Sequence, residues 1–444
     1  MLSTITNSVK YLWTNIILTR ALRISLFMVL ALFVAGVMIA DEALAVGWFN
    51  ENWLYRKVIT VQSSQVIGGP HVDFPMLVRL TSDADLAANV AQADGGDIIF
   101  TDAPTSGPIT RLPHERVSYN NTTGALLVWV NVNSINNGTV IYMYYGNSTG
   151  GLSYGLSETE KEAVWTNNYV GVWHLDEQSP NPHLDSTSND YDSYSISVAA
   201  QGQTTISKID GADEFDTSGQ QVLIDDPGVN SPLDAVGNTS LTLSAWVRPS
   251  SFGLFAPFSQ SGILAKSYIF RLDGDNGGCA GDSMLVGTRT FTWDGIWGSC
   301  GTMNVDTWYH VVSVYEVVPG INNDLSILYI NGSLDASGVN VVGTDRTGTD
   351  DTNDFCISGG LTGCGDPRTW DGFIDEVRVQ STNRSAGWIQ TEFNNQDHPT
   401  SSPYFLIVSE EVSIPTMTEW GMILFMILAG LAAVYFFRRR ERVL

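Results

Sequence analysis

Basic side chains are scarce in this chain of 444 residues. Lys and Arg number 22 against 47 Asp and Glu, a formal net charge of −25. A nucleic-acid partner needs clustered cations to neutralise phosphates, so that class is excluded. Charged residues of both signs make up only 16%, while 43% are hydrophobic and 11% aromatic. An intrinsically disordered chain would not carry that apolar weight. Long apolar runs are missing from the whole middle of the sequence, residues 46–421. Cysteine is limited to four residues without C-x-x-C spacing, which argues against a structural zinc site. H-E-x-x-H is absent. So is E-x-D-x-x-E, the spacing that sets two carboxylates on one strand face for glycoside hydrolysis. No Ser or Cys nucleophile signature is read around His174, His183 or His310.

What is present points to strands and turns. Gly alone supplies 42 residues, which fits a turn-rich chain better than long helices. The length suits two or three domains, each with its own core. Phe74, Met76, Val78 and Leu80 alternate with Leu77, Arg79 and Thr81, and Leu126, Val128, Val130 and Val132 follow the same period of two. That alternation predicts an antiparallel β-sandwich over 46–152. A short helix is expected over Asp83 to Ala93, with Leu86 and Val90 on one face. Residues 153–168, including Glu158, Glu160, Lys161 and Glu162, read as a polar linker. Further strands are expected over 169–411, at 241–247, 308–315, 325–330, 373–379 and 404–408. A helix capped by Ser385 is expected near the end, with Trp388, Ile389, Glu392 and Phe393 at helical spacing.

The two ends read as addresses. Lys10, Arg20 and Arg23 precede the apolar run Ile24 to Ala40, and Ala43-Leu44-Ala45 offers a small-x-small cleavage site. Residues 1–45 therefore read as a signal peptide cut after Ala45, the alternative being an uncleaved anchor. At the other end, Met422 to Phe437 is apolar and Arg438, Arg439, Arg440 and Arg442 follow, a short spanning helix with its cations inside. Ile414-Pro415-Thr416-Met417-Thr418-Glu419-Trp420-Gly421 stands before it, so 412–444 resembles the IPTL-type C-terminal sorting domain of bacteria, with Met417 where that family usually has Leu. The resemblance implies a Gram-negative source, an exosortase-type processing partner and an association with exported polysaccharide or the envelope. The chain is then held at the inner membrane by its C-terminal helix before processing, and afterwards in the envelope, at the cell surface or outside. Seven basic residues lie in the ends, so the exported middle is more acidic than the whole.

The first segment carries Trp53-Leu54-Tyr55-Arg56-Lys57, Asp97-Ile98-Ile99-Phe100-Thr101-Asp102, Leu112-Pro113-His114-Glu115 and Tyr144-Tyr145-Gly146-Asn147. These resemble a bacterial surface-protein domain family that has no assigned chemistry. In the second, Gly171-Val172-Trp173-His174-Leu175-Asp176-Glu177, Leu243-Ser244-Ala245-Trp246-Val247, Trp308-Tyr309-His310-Val311-Val312, Leu328-Tyr329-Ile330-Asn331-Gly332 and Gly372-Phe373-Ile374-Asp375-Glu376-Val377-Arg378-Val379 occur in order. They resemble the concanavalin A-like lectin/glucanase jelly roll in its laminin-G-like form. The expected fold class is thus all-β: two antiparallel β-sandwiches, the second a jelly roll, plus the two terminal helices.

Four Cys in an exported chain favour disulfides. Three connectivities are possible, and Cys279–Cys300 with Cys356–Cys364 closes the most local loops. The jelly-roll resemblance implies one structural Ca²⁺, with Asp185 and Asp375 at the donor positions, although Asp and Asn also populate ordinary turns. Asp375 and Glu376 are adjacent, so their side chains are expected on opposite faces. Trp246, Trp293, Trp297, Trp308 and Trp370 could stack on sugar rings. Trp293 and Trp297 are the rim candidates, whereas Trp246 and Trp308 are expected in the core. The expected work is non-catalytic binding of glycan or another extracellular polymer. A structural or adhesive protein without sugar binding and a glycan-cleaving hydrolase are the alternatives.

Overall fold

The computed structural model describes residues 48–49, 52–103, 110–226, 228, 231–234, 240–251, 260–265, 269–273, 283–287, 295–299, 301, 303–318, 325–339, 354–359, 364–399, 403–414, 423, 427–428 and 430–431. These fall into two compact units. One takes the described parts of 1–54, 103–109 and 412–444. There Ile414 N–H donates to the Leu54 carbonyl at 3.0 Å, and the Phe49 and Trp53 rings meet edge to face at 5.3 Å. Among the described residues no helix is long and apolar enough to cross a membrane. The expected cleavage site at Ala43 and Ala45 lies outside them, as do Pro415, Thr416, Trp420, Gly421, Arg438, Arg439 and Arg440 of the sorting signal.

The other unit holds both sandwiches. The first is built from β1 (Tyr55–Val61), β2 (His71–Leu80), β3 (Ile99–Thr101), β4 (Arg111–Leu112), β5 (His114–Asn120), β6 (Ala125–Ile135) and β7 (Val140–Tyr145). β2, β6 and β5 pair antiparallel, with Phe74 opposite Val132, Met76 opposite Val130 and Val78 opposite Val128. Those side chains close a core against Ile59, Val61, Ile141 and Met143 of the facing sheet. Pro75 is tolerated because β2 is an edge strand, where no partner needs its missing N–H.

Helix α1 (Ala84–Asn89) starts where expected: Asp83 Oδ1 accepts the N–H groups of Asp85 and Leu86, each at 3.0 Å. It ends sooner than expected. The buried Asp97 carboxylate takes the N–H groups of Ala91 and Gln92, at 3.0 and 2.9 Å, and pulls the chain out of the helix. Asp97 also accepts from Gly146 and Asn147. Gly146 has φ +86°, and a Cβ there would stand 2.4 Å from the Tyr55 ring. Three of the sequence marks of this segment are therefore one structural joint.

The second sandwich follows helix α2 (Glu158–Glu162). Its strands are β8 (Tyr169–Trp173), β9 (Ser193–Ser197), β10 (Asp213–Phe215), β11 (Gln221–Ile224), β12 (Leu241–Pro249), β13 (Gln260–Ala265), β14 (Ile269–Asp273), β15 (Ser283–Gly287), β16 (Gly295–Trp297), β17 (Tyr309–Glu316), β18 (Leu325–Ile330), β19 (Ser333–Val339), β20 (Phe355–Ile357) and β21 (Gly372–Gln380). One sheet runs β10-β21-β12-β17-β18-β19, with β8 on β21; the other runs β16-β15-β14-β13-β20-β11-β9. Leu243, Ala245, Val247, Val311, Ile374 and Val379 meet Val222, Ile224, Ile263, Phe270 and Phe355 between them. The all-β, mostly antiparallel, jelly-roll-like expectation holds.

Helix α3 (Ala386–Asp397) begins at Ser385, whose hydroxyl accepts from Trp388 N–H at 3.2 Å, as the sequence predicts. The chain then returns to the first sandwich. β22 (Leu406–Val408), expected to close the second segment, pairs with β1 instead, Ile407 opposite Thr60. The segment written as 169–411 thus supplies a strand to the other sheet system. Residues 153–168 are not a free spacer either, because Val164 and Trp165 are buried with Leu77, Leu127, Trp129, Tyr169, Val172 and Trp246 in the layer joining the sandwiches.

Candidate functional site

The second sandwich offers two outward sheet faces. On the β12–β21 sheet that face is closed. Trp246 Nε1 donates to Gln396 of α3 at 2.6 Å, and the Trp246 ring lies 5.9 Å from Phe393. Ile389 packs on Val312, Val314 and Tyr329. Next to this cover, the pairing of β12 with β21 slips between Ser244 and Trp246, and Glu376 takes φ +54°. This is a β-bulge, and it overturns the expectation for Asp375 and Glu376. Ile374 and Val377 both face the core, so the extra residue puts both acids on the outer face.

Both acids are covered, and each is tied up. Asp375 Oδ2 accepts the N–H groups of Lys208 and Ile209 at 2.8 and 2.9 Å. Glu376 Oε1 lies 2.8 Å from His174 Nδ1, and its Oε2 accepts from Arg378 at 2.9 Å. Arg378 also donates to Glu392 of α3 at 2.6 Å, and its guanidinium stacks 4.5 Å from the Trp129 ring and 4.9 Å from that of Trp165. On the first sandwich, Glu115 accepts from Trp165 Nε1 at 2.7 Å and from Ser186 at 2.8 Å, and stands 3.3 Å from His174 Nε2. The result is one buried chain of charges crossing from β5 through β8 and β21 to α3.

The electrostatics fit a fixed joint. Burial works against charge on His174, but Glu376 and Glu115 outweigh it and hold the imidazole well above its ordinary value. Glu115 and Glu376 are held below theirs by the same partners, despite burial. Burial and the neighbouring Glu376 push Asp375 well up. Two acids with separated affinities resemble an acid–base pair. Here neither reaches solvent, since Asp375 is 0% and Glu376 2% exposed.

Asp185 and Asp375 do not come together around a cation. Asp185 Oδ1 accepts from Val172 and Thr187 N–H, and Oδ2 from Thr187 Oγ1 and Tyr191 N–H, at 2.8–3.1 Å. These bonds engage both carboxylate oxygens and pin the 185–191 loop. Burial lifts it to about 6. Among the described residues no group of three or more His, Cys, Asp and Glu is placed to hold a metal ion.

Cys356 and Cys364 form a disulfide with a Cα–Cα distance of 5.6 Å; Cys279 and Cys300 lie outside the described residues, as does Trp293. Trp297 ends β16. Trp246 and Trp370 are buried, and Trp308 is half-buried with its Nε1 donating to the Ile206 carbonyl at 2.9 Å. Sequence reading passed over Gly151-Leu152-Ser153-Tyr154-Gly155, which has the spacing of a nucleophile elbow. The structure places it in a partly buried turn rather than between a strand and a long helix, with Ser153 exposed and not bonded to a histidine.

The other outward face belongs to the sheet of β9, β11, β20 and β13–β16. Val222, Ile224, Phe355 and Ile357 point to the core, so Leu223 and Cys356, paired with each other, look outward. On the neighbouring edge strand β9, Tyr194 is 57% exposed and donates its hydroxyl to Asp354 at 2.5 Å. No sequence signal distinguished Tyr194, because its exposure depends on where β9 sits in the sheet.

Residues 216–390 match the concanavalin A-like lectin/glucanases superfamily. No curated protein matches the chain in sequence. Among solved structures, the receptor binding domain of botulinum neurotoxin type G is similar at 11% identity and TM-score 0.33, over 52% of this chain and 51% of that one. Trypanosoma rangeli sialidase in complex with sialic acid is similar at 14% and 0.37, over 65% and 45%. Domain 4 of an extracellular arabinanase from Geobacillus stearothermophilus, in complex with arabinotriose, is similar at 19% and 0.35, over 51% and 98%. The chain spans about half the length of the first solved structures it resembles.

Proposed function

We propose that the chain is an exported bacterial surface protein, sorted at its C-terminus by an exosortase-type enzyme, that binds extracellular polysaccharide or another surface glycan without cleaving it. The single observation that carries this reading is a concanavalin A-like domain with one outward face closed and an exposed Tyr194 bonded to Asp354 at the edge of the other sheet. An exposed aromatic ring takes the C–H face of a sugar, and a carboxylate beside it accepts hydroxyls. The covered state of Asp375 and Glu376 supports binding over hydrolysis. A glycan array with the full chain tests it: saturable binding that falls with Tyr194→Ala supports the reading, and silence overturns it. Release of reducing ends from polysaccharides would favour the hydrolase. The buried charges that tie the two sandwiches favour a second reading, a structural spacer, which silence on the array would support.

A further inference from the structure

The Tyr194–Asp354 pair is set by two local irregularities of its sheet. Leu223 of β11 pairs with Ser195 of β9, and Ile224 pairs with Ser193, so Tyr194 is the extra residue of a β-bulge. Its ring reaches past β11 to Asp354, which stands just before β20. Ladder pairing of β20 begins only at Phe355, opposite Ile224. Before that point the Asp354 backbone meets the Cys356–Cys364 bridge: the Cys364 sulfur lies 3.1 Å from the Asp354 carbonyl oxygen. Cys356 is buried in β20, whereas Cys364 is half-buried. Next to it, Gly365 N–H donates to Gln221 Oε1 of β11 at 2.9 Å. The bond to Asp354 pushes the Tyr194 hydroxyl up to about 12.

From this arrangement we infer that the Cys356–Cys364 bridge positions Asp354 for Tyr194, and that reducing the bridge loosens the pair and weakens glycan binding there. The inference rests on the Tyr194 face being the glycan site. The disulfide joins a residue locked in the ladder to one that lies against the Asp354 carbonyl. With the bridge closed, Asp354 is held between Phe355 and Cys364, and its carboxylate stays within reach of the tyrosine hydroxyl. A dithiol opens the bridge by exchange. The protein's S–S bond and the reductant's two S–H bonds become thiols on Cys356 and Cys364 and the disulfide of the reductant. The Cys364 sulfur can then leave the Asp354 carbonyl, and the exposed Tyr194 loses the fixed acceptor that orders its ring. A ring ordered before the ligand arrives binds more tightly than one that must be ordered on binding.

The test uses the full chain with ¹³C at tyrosine Cζ, oxidised and after dithiothreitol, with thiol counting to confirm that the bridge has opened. The Tyr194 signal, identified by its loss in Tyr194→Phe, should move on reduction toward its position in Asp354→Ala. The double variant Cys356→Ser/Cys364→Ser, which leaves any other disulfide in place, should show the moved signal without reductant. Circular dichroism should remain that of a β protein throughout. On a glycan array the reduced chain should bind several-fold more weakly than the oxidised one, and the double variant should bind weakly and not respond to dithiothreitol. A Tyr194 signal unmoved by reduction, loss of the β spectrum on reduction, or array binding that reduction leaves unchanged would each overturn the inference. A moved signal with an array silent in both states would support the positioning and overturn the glycan reading alone.

Discussion

Glu376 points to the same side of its strand as Asp375, although the two are neighbours in sequence, because Glu376 occupies the left-handed position of a β-bulge. Without that bulge Glu376 would take the core face with Ile374, and the charges of His174 and Arg378 would lack their shared carboxylate. Glu376→Gln should cost about 3–5 kcal/mol, the usual result of removing one partner from a buried ionic cluster. Urea unfolding checks it, and a loss under about 1 kcal/mol would mean the cluster is dispensable.

His183 gives the second sandwich a pH dependence. Its ring contacts Glu177 Oε2 and Asp213 Oδ2, both at 2.7 Å. Burial opposes the charge, but these carboxylates raise the imidazole from 6.5 to about 9. The stabilisation is therefore complete below 6.5 and is lost as the pH climbs through about 9, roughly 3 kcal/mol in all. Urea midpoints measured from pH 6 to 10 should fall over that window in the native chain and much less in His183→Asn. Equal slopes would show that another group titrates.

Asn395 acts as a substitute strand. Its Oδ1 accepts Leu77 N–H at 2.7 Å, and its Nδ2 donates to the Leu77 carbonyl at 3.0 Å. Both backbone groups are buried, so Asn395→Ala should cost about 1–3 kcal/mol through unsatisfied polar atoms. Hydrogen exchange at Leu77 should accelerate as well; unchanged protection would mean that water replaces the amide.

The Cys356–Cys364 bridge closes a short loop of separation 8. Cys356→Ser should lower stability by about 2–3 kcal/mol on the chain-entropy estimate. Peptide mapping of the unreduced chain should recover the two cysteines joined, and the same map tests the expected Cys279–Cys300 pair. Free thiols at 356 and 364 would refute the bridge.

The engaged carboxylate of Asp185 makes a prediction about calcium. Thermal unfolding with and without chelator should superimpose. A shift of several degrees would mean that a cation site lies elsewhere or displaces the four donors.

Much was legible in the chain itself. Period-two alternation gave β2 and β6, and the hydroxyl of Ser385 marked the start of its helix. The jelly-roll-like domain was legible through the motifs that resemble that family, whereas the alternation itself gave only strands, because local burial on one face leaves a local signature. The missed features are non-local. Leu77 and Trp129 were on the expected outer face of their sheet, yet both are buried because a second sandwich lies against it. β22 and Asn395 serve the first sandwich from more than three hundred residues away. The register slip that re-aims Glu376 depends on how β21 meets β12, and no spacing within either strand encodes it. Sequence by itself determined the strands, the caps and the class of fold, all of which rest on neighbours along the chain. Only the tertiary structure decided which acids were buried and which sheet face α3 closed, because these depend on surfaces brought together from distant segments.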